Sequence, residues 1–310
     1  MVINNNHIQP GDEVYVNLNS YKLPTRTIIE VPVYVKRAFN DGPVVLFSAG
    51  MHGDETNGIE ILRSLIHYKH FDKLKKGAVV VIPIVNIVSF LNNSRELPDG
   101  RDLNRCFPGN KGGSLGSRIA YDIMKDILPQ IDFGVDFHTG GASINNYPQI
   151  RCVLDEPKNM ELAKMFAPPF IINSPFRDKS FRKEASKKGK SILVYEAGES
   201  LRLSKSAVTE GIYGCLRMLN KLGMLDVEVP DHQTLILKDS SWIRARSSGI
   251  FVSYKKYGKK VEKEEIIGVI SDPYGESEFP LFAPDDGYII GINNSPVVNL
   301  GDALIHIGHL

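Results

Sequence analysis

His52-Gly53-Asp54-Glu55 follows the apolar run Val44-Val45-Leu46-Phe47-Ser48-Ala49-Gly50, and a second run, Val135-Asp136-Phe137-His138, also ends in an imidazole. Two imidazoles and a carboxylate, each at the end of a buried strand, are a ligand set for a catalytic zinc ion that keeps a fourth position for water. The spacing has a mechanical reason. Where a strand breaks at Gly50 and Gly53 and enters a helix, residues three apart in the first turn can face one metal, as His52 and Glu55 would. A cation in that position lowers the pKa of water from about 16 to about 7, so hydroxide is at hand at neutral pH. The chemistry to expect is hydrolysis. Each residue alone also has a plain structural reading: a loop histidine, a carboxylate at a helix N-terminus, a satisfied core imidazole. His67 and His70 read as the polar end of a helix, and His232, His306 and His309 have no carboxylate at a useful spacing.

The elements that must position these groups follow from hydrophobic pattern. Residues 27–35 alternate as a half-exposed strand, and 44–48, 78–85, 133–137 and 192–195 read as short apolar strands. Between them, 56–70, 117–128 and 207–222 carry apolar residues at helical spacing. Strands alternating with helices predict an α/β fold, a mixed and mostly parallel sheet flanked by helices on both faces. Such sheets bind ligands beyond the carboxyl ends of their strands. Those ends supply His52 and Glu55, Asn86, His138 and Glu196. The segment 93–109 is long, punctuated by Pro and Gly and rich in Arg, which is unusual for an inert connection. Arginine is the side chain that grips a carboxylate with two parallel hydrogen bonds.

HGDE, the long loop ending in DLNR and FPG, DFHTGG and YEAGE occur in that order between Phe47 and Glu199. Together they resemble the zinc carboxypeptidase superfamily, and the spacing of the ligands is similar to its succinylglutamate desuccinylase/aspartoacylase branch. The resemblance implies that His52, Glu55 and His138 bind one Zn2+ and that Glu196 is the general base and then acid. It also implies that Asn104 and Arg105 hold a substrate carboxylate and that Arg95 polarises the scissile carbonyl. The family pattern has further Arg and Tyr residues upstream of the catalytic glutamate. Tyr147, Arg177 and Arg182 all compete for those places here. The basic run 182–190 reads as a solvated helix face, or else as a lure for anions. Arg101 and Asp102 serve equally as a loop-shaping pair or as substrate contacts, and Cys106 reads as a small semi-buried residue rather than a nucleophile.

From Asp231 onward helical periodicity gives way to short β-like runs between Gly and Asp-Gly turns. Val261–Ile270 lines up with Val298–Ile307, and Gly249-Ile250-Phe251 mirrors Gly287-Tyr288-Ile289, which predicts two similar halves wrapped into a small barrel or sandwich. The expected division is a catalytic α/β domain over 1–228 and a β domain over 229–310 that resembles a biotinyl/lipoyl-type hammerhead. A carrier of that type needs a lysine at the hairpin tip. The tip reads Ser271-Asp272-Pro273-Tyr274-Gly275-Glu276-Ser277-Glu278, so a wall over the site entrance or a homo-oligomer contact is the expected role.

Composition limits the partners. The 310 residues are 42% hydrophobic with a formal net charge of +1, enough for a large core and too little charge for nucleic acid or an acidic membrane as the main partner. The first residues lack the pattern of a signal peptide and no apolar run spans a bilayer, so the expected compartment is the cytoplasm. Cys106, Cys152 and Cys215 are scattered and form no CxxC pair, which speaks against thiolate ligation. The leading expectation is a zinc-dependent deacylase acting on a small-molecule N-acyl amino acid or amine. A zinc carboxypeptidase acting on peptides and a non-catalytic binding protein on the same fold are the alternatives.

Overall fold

The computed structural model describes residues 1–18, 21–22 and 25–310. β1 (Val2–Ile3), β2 (Asn6–His7), β3 (Glu13–Asn17), β4 (Tyr21–Lys22) and β5 (Ile28–Ile29) precede β6 (Pro32–Arg37) and β7 (Asn40–Ala49). There follow α1 (Thr56–His67), β8 (Lys76–Ile82), α2 (Ile87–Leu91), α3 (Leu115–Asp122), β9 (Phe133–Gly140), β10 (Ile144–Cys152), α4 (Pro157–Phe166), β11 (Phe170–Asn173), α5 (Phe181–Ser186), β12 (Ser191–Glu199) and α6 (Lys205–Lys221). The remainder is β13 (Leu235–Leu237), β14 (Asp239–Arg244), β15 (Gly249–Ser253), β16 (Lys260–Val261), β17 (Ile266–Ser271), β18 (Glu278–Phe282), β19 (Gly287–Asn293), β20 (Val297–Val298) and β21 (Ala303–His309).

The main sheet runs β14-β21-β19-β10-β12-β9-β7-β8-β6-β3, with β11 and β13 added beside β10 and β16 beside β19. The sheet is mixed, as expected, but its parallel character is confined to the central block β8-β7-β9-β12 and to the short β10-β11-β13 branch. On either side β6, β3, β19, β21 and β14 pair antiparallel. Both faces of the centre are covered. Val45, Phe47 and Ala49 of β7, Phe133, Val135 and Phe137 of β9, and Leu193, Tyr195 and Ala197 of β12 point to one core with α1, α4 and α6. Leu46, Val80, Ile82 and Ile192 point to the other, built with α3, α5 and the N-terminal strands. The two-residue period thus sends alternate side chains of one strand into different cores, which is why these strands read as unbroken apolar runs.

Two predicted helices are shorter than their patterns. The 56–70 pattern ends at His67, with Lys69 just beyond in a left-handed conformation (φ 57°). The 117–128 pattern breaks into α3, a π-turn over Ile123–Ile127 and a 3-10 turn over Leu128–Gln130 that carries Pro129. β10 and β11 escaped the sequence pattern. β10 carries Asn146 and Arg151, which line the cavity, and Gln149, which is buried and donates to the Ile290 carbonyl, so it lacks a simple apolar period. No helix is long and apolar enough to cross a membrane among the described residues.

The C-terminal strands show the internal echo. β15 pairs with β17 and β20, while β19 pairs with β21 and β16; β17 pairs with β18, and β21 with β14. The sheet β18-β17-β15-β20 therefore faces β14, β19 and β21 across a core that includes Phe251, Ile270, Ile289 and Ile305. This segment is also joined to the rest of the chain by backbone pairing, β19 with β10 and β13 with β11.

Candidate active site

The parallel centre of the sheet brings the carboxyl ends of β7, β9 and β12 to one rim. β7 breaks at Gly50, whose φ of +63° suits glycine, and the chain passes through His52 before α1 begins at Thr56. A Cβ on Gly53 would lie 2.0 Å from the backbone carbon of Ser89, so the turn can press against α2 only as glycine. Gly53 also donates to the Ser94 carbonyl at 2.9 Å, which fixes the start of the Arg-rich loop. Glu55 occupies the N-cap position of α1 yet makes no capping bond with its side chain. Its carboxylate is used elsewhere.

Glu55 Oε1 lies 2.8 Å from His52 Nδ1, and Oε2 lies 2.8 Å from His138 Nδ1 and accepts from the Thr139 amide at 3.2 Å. All three residues are buried. Each imidazole holds a second carboxylate on its other nitrogen: His52 Nε2 is 3.1 Å from Asp102 Oδ1, and His138 Nε2 is 2.9 Å from Asp136 Oδ2. Asp136 is itself steadied by Ser48 Oγ, which donates to Oδ1 at 2.7 Å from the neighbouring strand. In its neutral form, a ring that gives Nε2–H to its carboxylate turns an Nδ1 lone pair to Glu55. Arg95 supports that tautomer, since its Nη1, 3.3 Å from His52 Nδ1, can meet the ring only as a donor.

Two nitrogen lone pairs facing a carboxylate are mutually repulsive unless a cation lies among them. The donor atoms of His52, Glu55 and His138 lie within 4.8 Å of one another, close enough for one ion to reach all three. The residues fit a divalent metal with N/N/O ligation, the His₂Glu set of catalytic zinc sites. Protons on the ring nitrogens would relieve the same crowding. Burial by itself lowers His52 and His138, but Glu55 with Asp102 and Asp136 outweighs it, raising His52 and raising His138 strongly. Burial would raise Glu55, yet the two imidazoles hold it well below the usual carboxylate range.

Glu196 and His138 are direct register partners across β12 and β9. Glu196 Oε2 accepts from Asn146 Nδ2 at 2.8 Å, and Oε1 lies 3.6 Å from Arg151 Nη1. Arg95 donates from Nη1 to Glu55 at 3.1 Å and from Nη2 to Asp102 at 3.0 Å, which places its guanidinium at the edge of the ligand cluster. Asn104 accepts from the Phe181 amide at 2.9 Å, tying the loop to α5, and Arg105 donates to the Asn104 carbonyl at 2.6 Å. A cavity of about 240 Å³ is lined by His52, Glu55 and His138 together with Arg95, Asn104, Arg105 and Glu196. The three expected ligands, Glu196, Arg95, Asn104 and Arg105 thus border one space.

Of the competing pocket residues, Arg177 and Arg182 line the cavity and Tyr147 does not. Tyr147 packs on Phe170 and Tyr257 at ring distances of 5.5 and 5.8 Å. The basic run divides. Arg182 is buried, donates to the Pro175 carbonyl at 2.7 Å and stacks over Phe176, and burial pushes it down to about 10. Lys183 and Lys187 pair with Asp178 and Glu184. Asn86, grouped with the rim by its strand end, is structural. Its Oδ1 caps α2 through the Ser89 amide at 3.2 Å, and Nδ2 donates to the Met51 carbonyl at 3.4 Å. Cys106 donates to the Asp102 carbonyl at 3.4 Å, and burial raises its thiol, which disfavours a nucleophilic thiolate.

Several site residues were not legible as such. Asp136 stands two residues from His138 on one strand face, a spacing that could have marked it as the carboxylate behind a ligating histidine. Asn146, Arg151 and Trp242 had no such signal, because each reaches the cavity from a remote strand; Asp102, weighed in the sequence as a loop-shaping residue or a substrate contact, instead lies behind His52 and Arg95. Arg105, Arg177 and Arg182 have no carboxylate within 4.0 Å among the described residues, whereas Arg95 and Arg151 do. The cavity therefore carries uncompensated positive charge and suits an anionic substrate.

The sheet with helices on both faces and the buried His-Glu-His cluster at its rim define the class. The family model described as the succinylglutamate desuccinylase/aspartoacylase catalytic domain matches residues 41–222, and the chain belongs to that family. It is 26% identical over 297 residues to a protein of Halomonas elongata named N-alpha-acetyl-L-2,4-diaminobutyric acid deacetylase, covering 91% of this chain and 86% of that one. A crystal structure of a succinylglutamate desuccinylase/aspartoacylase from Rhodobacter sphaeroides superposes with a TM-score of 0.84 at 25% identity, over 96% of this chain and 94% of that chain. The product-bound ectoine utilization protein EutE of Ruegeria pomeroyi shares the fold, with a TM-score of 0.83 at 21% identity over 98% and 100% of the two chains.

Proposed function

We propose that this chain is a zinc-dependent deacylase that hydrolyses the amide bond of a small N-acyl amino acid or related N-acyl amine. The carrying observation is the pair of imidazoles, each backed by a carboxylate and each turned to Glu55 at 2.8 Å. His52, Glu55 and His138 would hold the ion, at the parallel strand ends of a sheet that we read as a zinc carboxypeptidase-like plan. When bound there, zinc supplies a Lewis acid and an acidified water.

The chain's own residues account for the rest. Glu196, adjacent to His138 across the strands, takes a proton from the attacking water and later returns it to the nitrogen of the leaving amine. Asn146 and Arg151 hold that carboxylate in place. Arg95 presents N–H groups to the oxygen that gains negative charge as the carbonyl is attacked, a contribution of about 3 to 4 kcal/mol where such donors have been removed. Arg105 and Asn104 meet the substrate carboxylate, and Arg177 and Arg182 add positive charge beyond it. Water adds across the amide, and a carboxylic acid and an amine leave. The named activity of the Halomonas elongata relative supports a deacylase over a peptidase. The C-terminal segment, whose 272–277 turn has no lysine, then serves as a wall of the site rather than a carrier.

The test is a panel of N-acetyl, N-succinyl and longer N-acyl amino acids beside short peptides, assayed with zinc and after chelation. Zinc-dependent hydrolysis of one or more small N-acyl amino acids is expected. Cleavage of peptides alone, or activity that survives chelation, would contradict the proposal.

A further inference from the structure

Trp242 is the chain's single tryptophan and lines the cavity from the C-terminal segment. Along β14, Ile243 packs against the core between the two C-terminal sheets, so the alternation of the strand turns Trp242 the other way. One face of the indole is occupied: it stacks on His306 with 4.3 Å between ring centroids and 9° between planes. Trp242 and His306 are direct partners across β14 and β21, and His306 Nε2 is fixed by Ser240 Oγ at 3.0 Å. Burial, aided by the charge of Arg151, pushes His306 down to about 3, so the stack is between neutral rings. Indole surface outside this stack borders the cavity, of which Trp242 is a lining residue.

The strand order adds a direction. From β9 through β12, β10, β19 and β21 to β14, the rim passes His138, Glu196, Asn146 and Arg151 before it reaches Trp242. The nitrogen that leaves must lie at Glu196, which protonates it. The amine half of the substrate therefore extends from Glu196 away from the ligand cluster. The large aromatic surface on that side is Trp242, set among guanidinium and amide groups.

We propose that Trp242 selects the amine half of the substrate: the carbon stem of the released amino acid's side chain packs on the indole surface that borders the cavity. The substrates favoured are N-acyl amino acids with a side chain of several carbons over N-acylglycine. This rests on the deacylase reading above.

The single tryptophan provides a test without turnover. Intrinsic fluorescence of the zinc-loaded protein is followed while norleucine, lysine or glycine is added. A saturable change with norleucine or lysine, and a much weaker one with glycine, is expected; no saturable change with any of them overturns the proposal. In the second measurement, kcat/KM for N-acetylnorleucine relative to N-acetylglycine is compared in wild type, Trp242→Phe and Trp242→Ala. The ratio should fall about tenfold in Trp242→Ala, the scale of a few lost methylene contacts, and stay largely intact in Trp242→Phe. An unchanged ratio in Trp242→Ala, or a shift in preference between acetyl and succinyl groups on one amine in its place, overturns the assignment. If wild type hydrolyses no amide at all, the deacylase reading fails, and the fluorescence titration alone decides on Trp242.

Discussion

Glu55 receives a backbone amide, a guanidinium and two imidazoles while wholly buried, a concentration of partners that core packing alone does not require. The carboxylates behind the imidazoles set which nitrogen is free. Asp102→Asn and Asp136→Asn should each weaken zinc binding about 10- to 100-fold with little change in fold, measured by competition with a chelating dye. Unaltered affinity in both would mean that the tautomers are set by something else. Glu196→Gln should keep the metal and lose roughly 10²- to 10⁴-fold in kcat, so a variant with near-normal turnover would reassign the base. At this scale the sequence was informative wherever a functional residue adjoined a strand break. His52, Glu55 and His138 announce themselves by following apolar runs. Asp102 and Arg151 do not, since what makes them partners is the return of a loop and the pairing of β10 with β12.

Elements place these residues, and the turn between β7 and α1 is packed closely against α2. Gly53→Ala would drive a methyl into the Ser89 backbone, 2.0 Å away, and move the turn that carries both His52 and Glu55. A loss of about 1 to 3 kcal/mol or more is expected in denaturant unfolding, together with weaker zinc binding. Wild-type stability would show that α2 can yield. His306 makes a separate prediction. Its folded value, about 3, lies below the ordinary 6.5, so the unfolded chain takes up a proton that the folded chain refuses. The stability this residue contributes is intact above pH 6.5 and is lost as pH falls toward 3, at about 1.4 kcal/mol per pH unit. His306→Phe keeps a ring beneath Trp242 and removes that dependence. Matching acid slopes for the two proteins between pH 6 and 4 would contradict it. The central strands and α1, α3 and α6 were legible because their side chains face apolar cores with a clear period. β10 was not, because its polar face serves the cavity and its partners come from both ends of the chain.

Over the whole molecule, the site depends on a sheet that does not stop at residue 228. β10 carries Asn146 and Arg151 against Glu196 on one side and pairs with β19 on the other, and β11 pairs with β13. A chain ended at 228 would leave the edges of β10 and β11 bare, and aggregation with loss of turnover is expected on purification. A monomeric and fully active fragment would show that the C-terminal strands are dispensable. The internal echo pointed to an all-β segment, and a C-terminal sheet is present, but nothing in its sequence revealed that one strand would join the central sheet and another present Trp242 to the cavity. The chemistry of the site depends on His52, Glu55 and His138 sharing a single divalent ion. Metal analysis of the purified protein beside Glu55→Gln tests it most directly. About one zinc per wild-type chain and a small fraction of that in the variant is the predicted result; wild-type protein that binds no divalent ion, or a variant that retains a full equivalent, would contradict it.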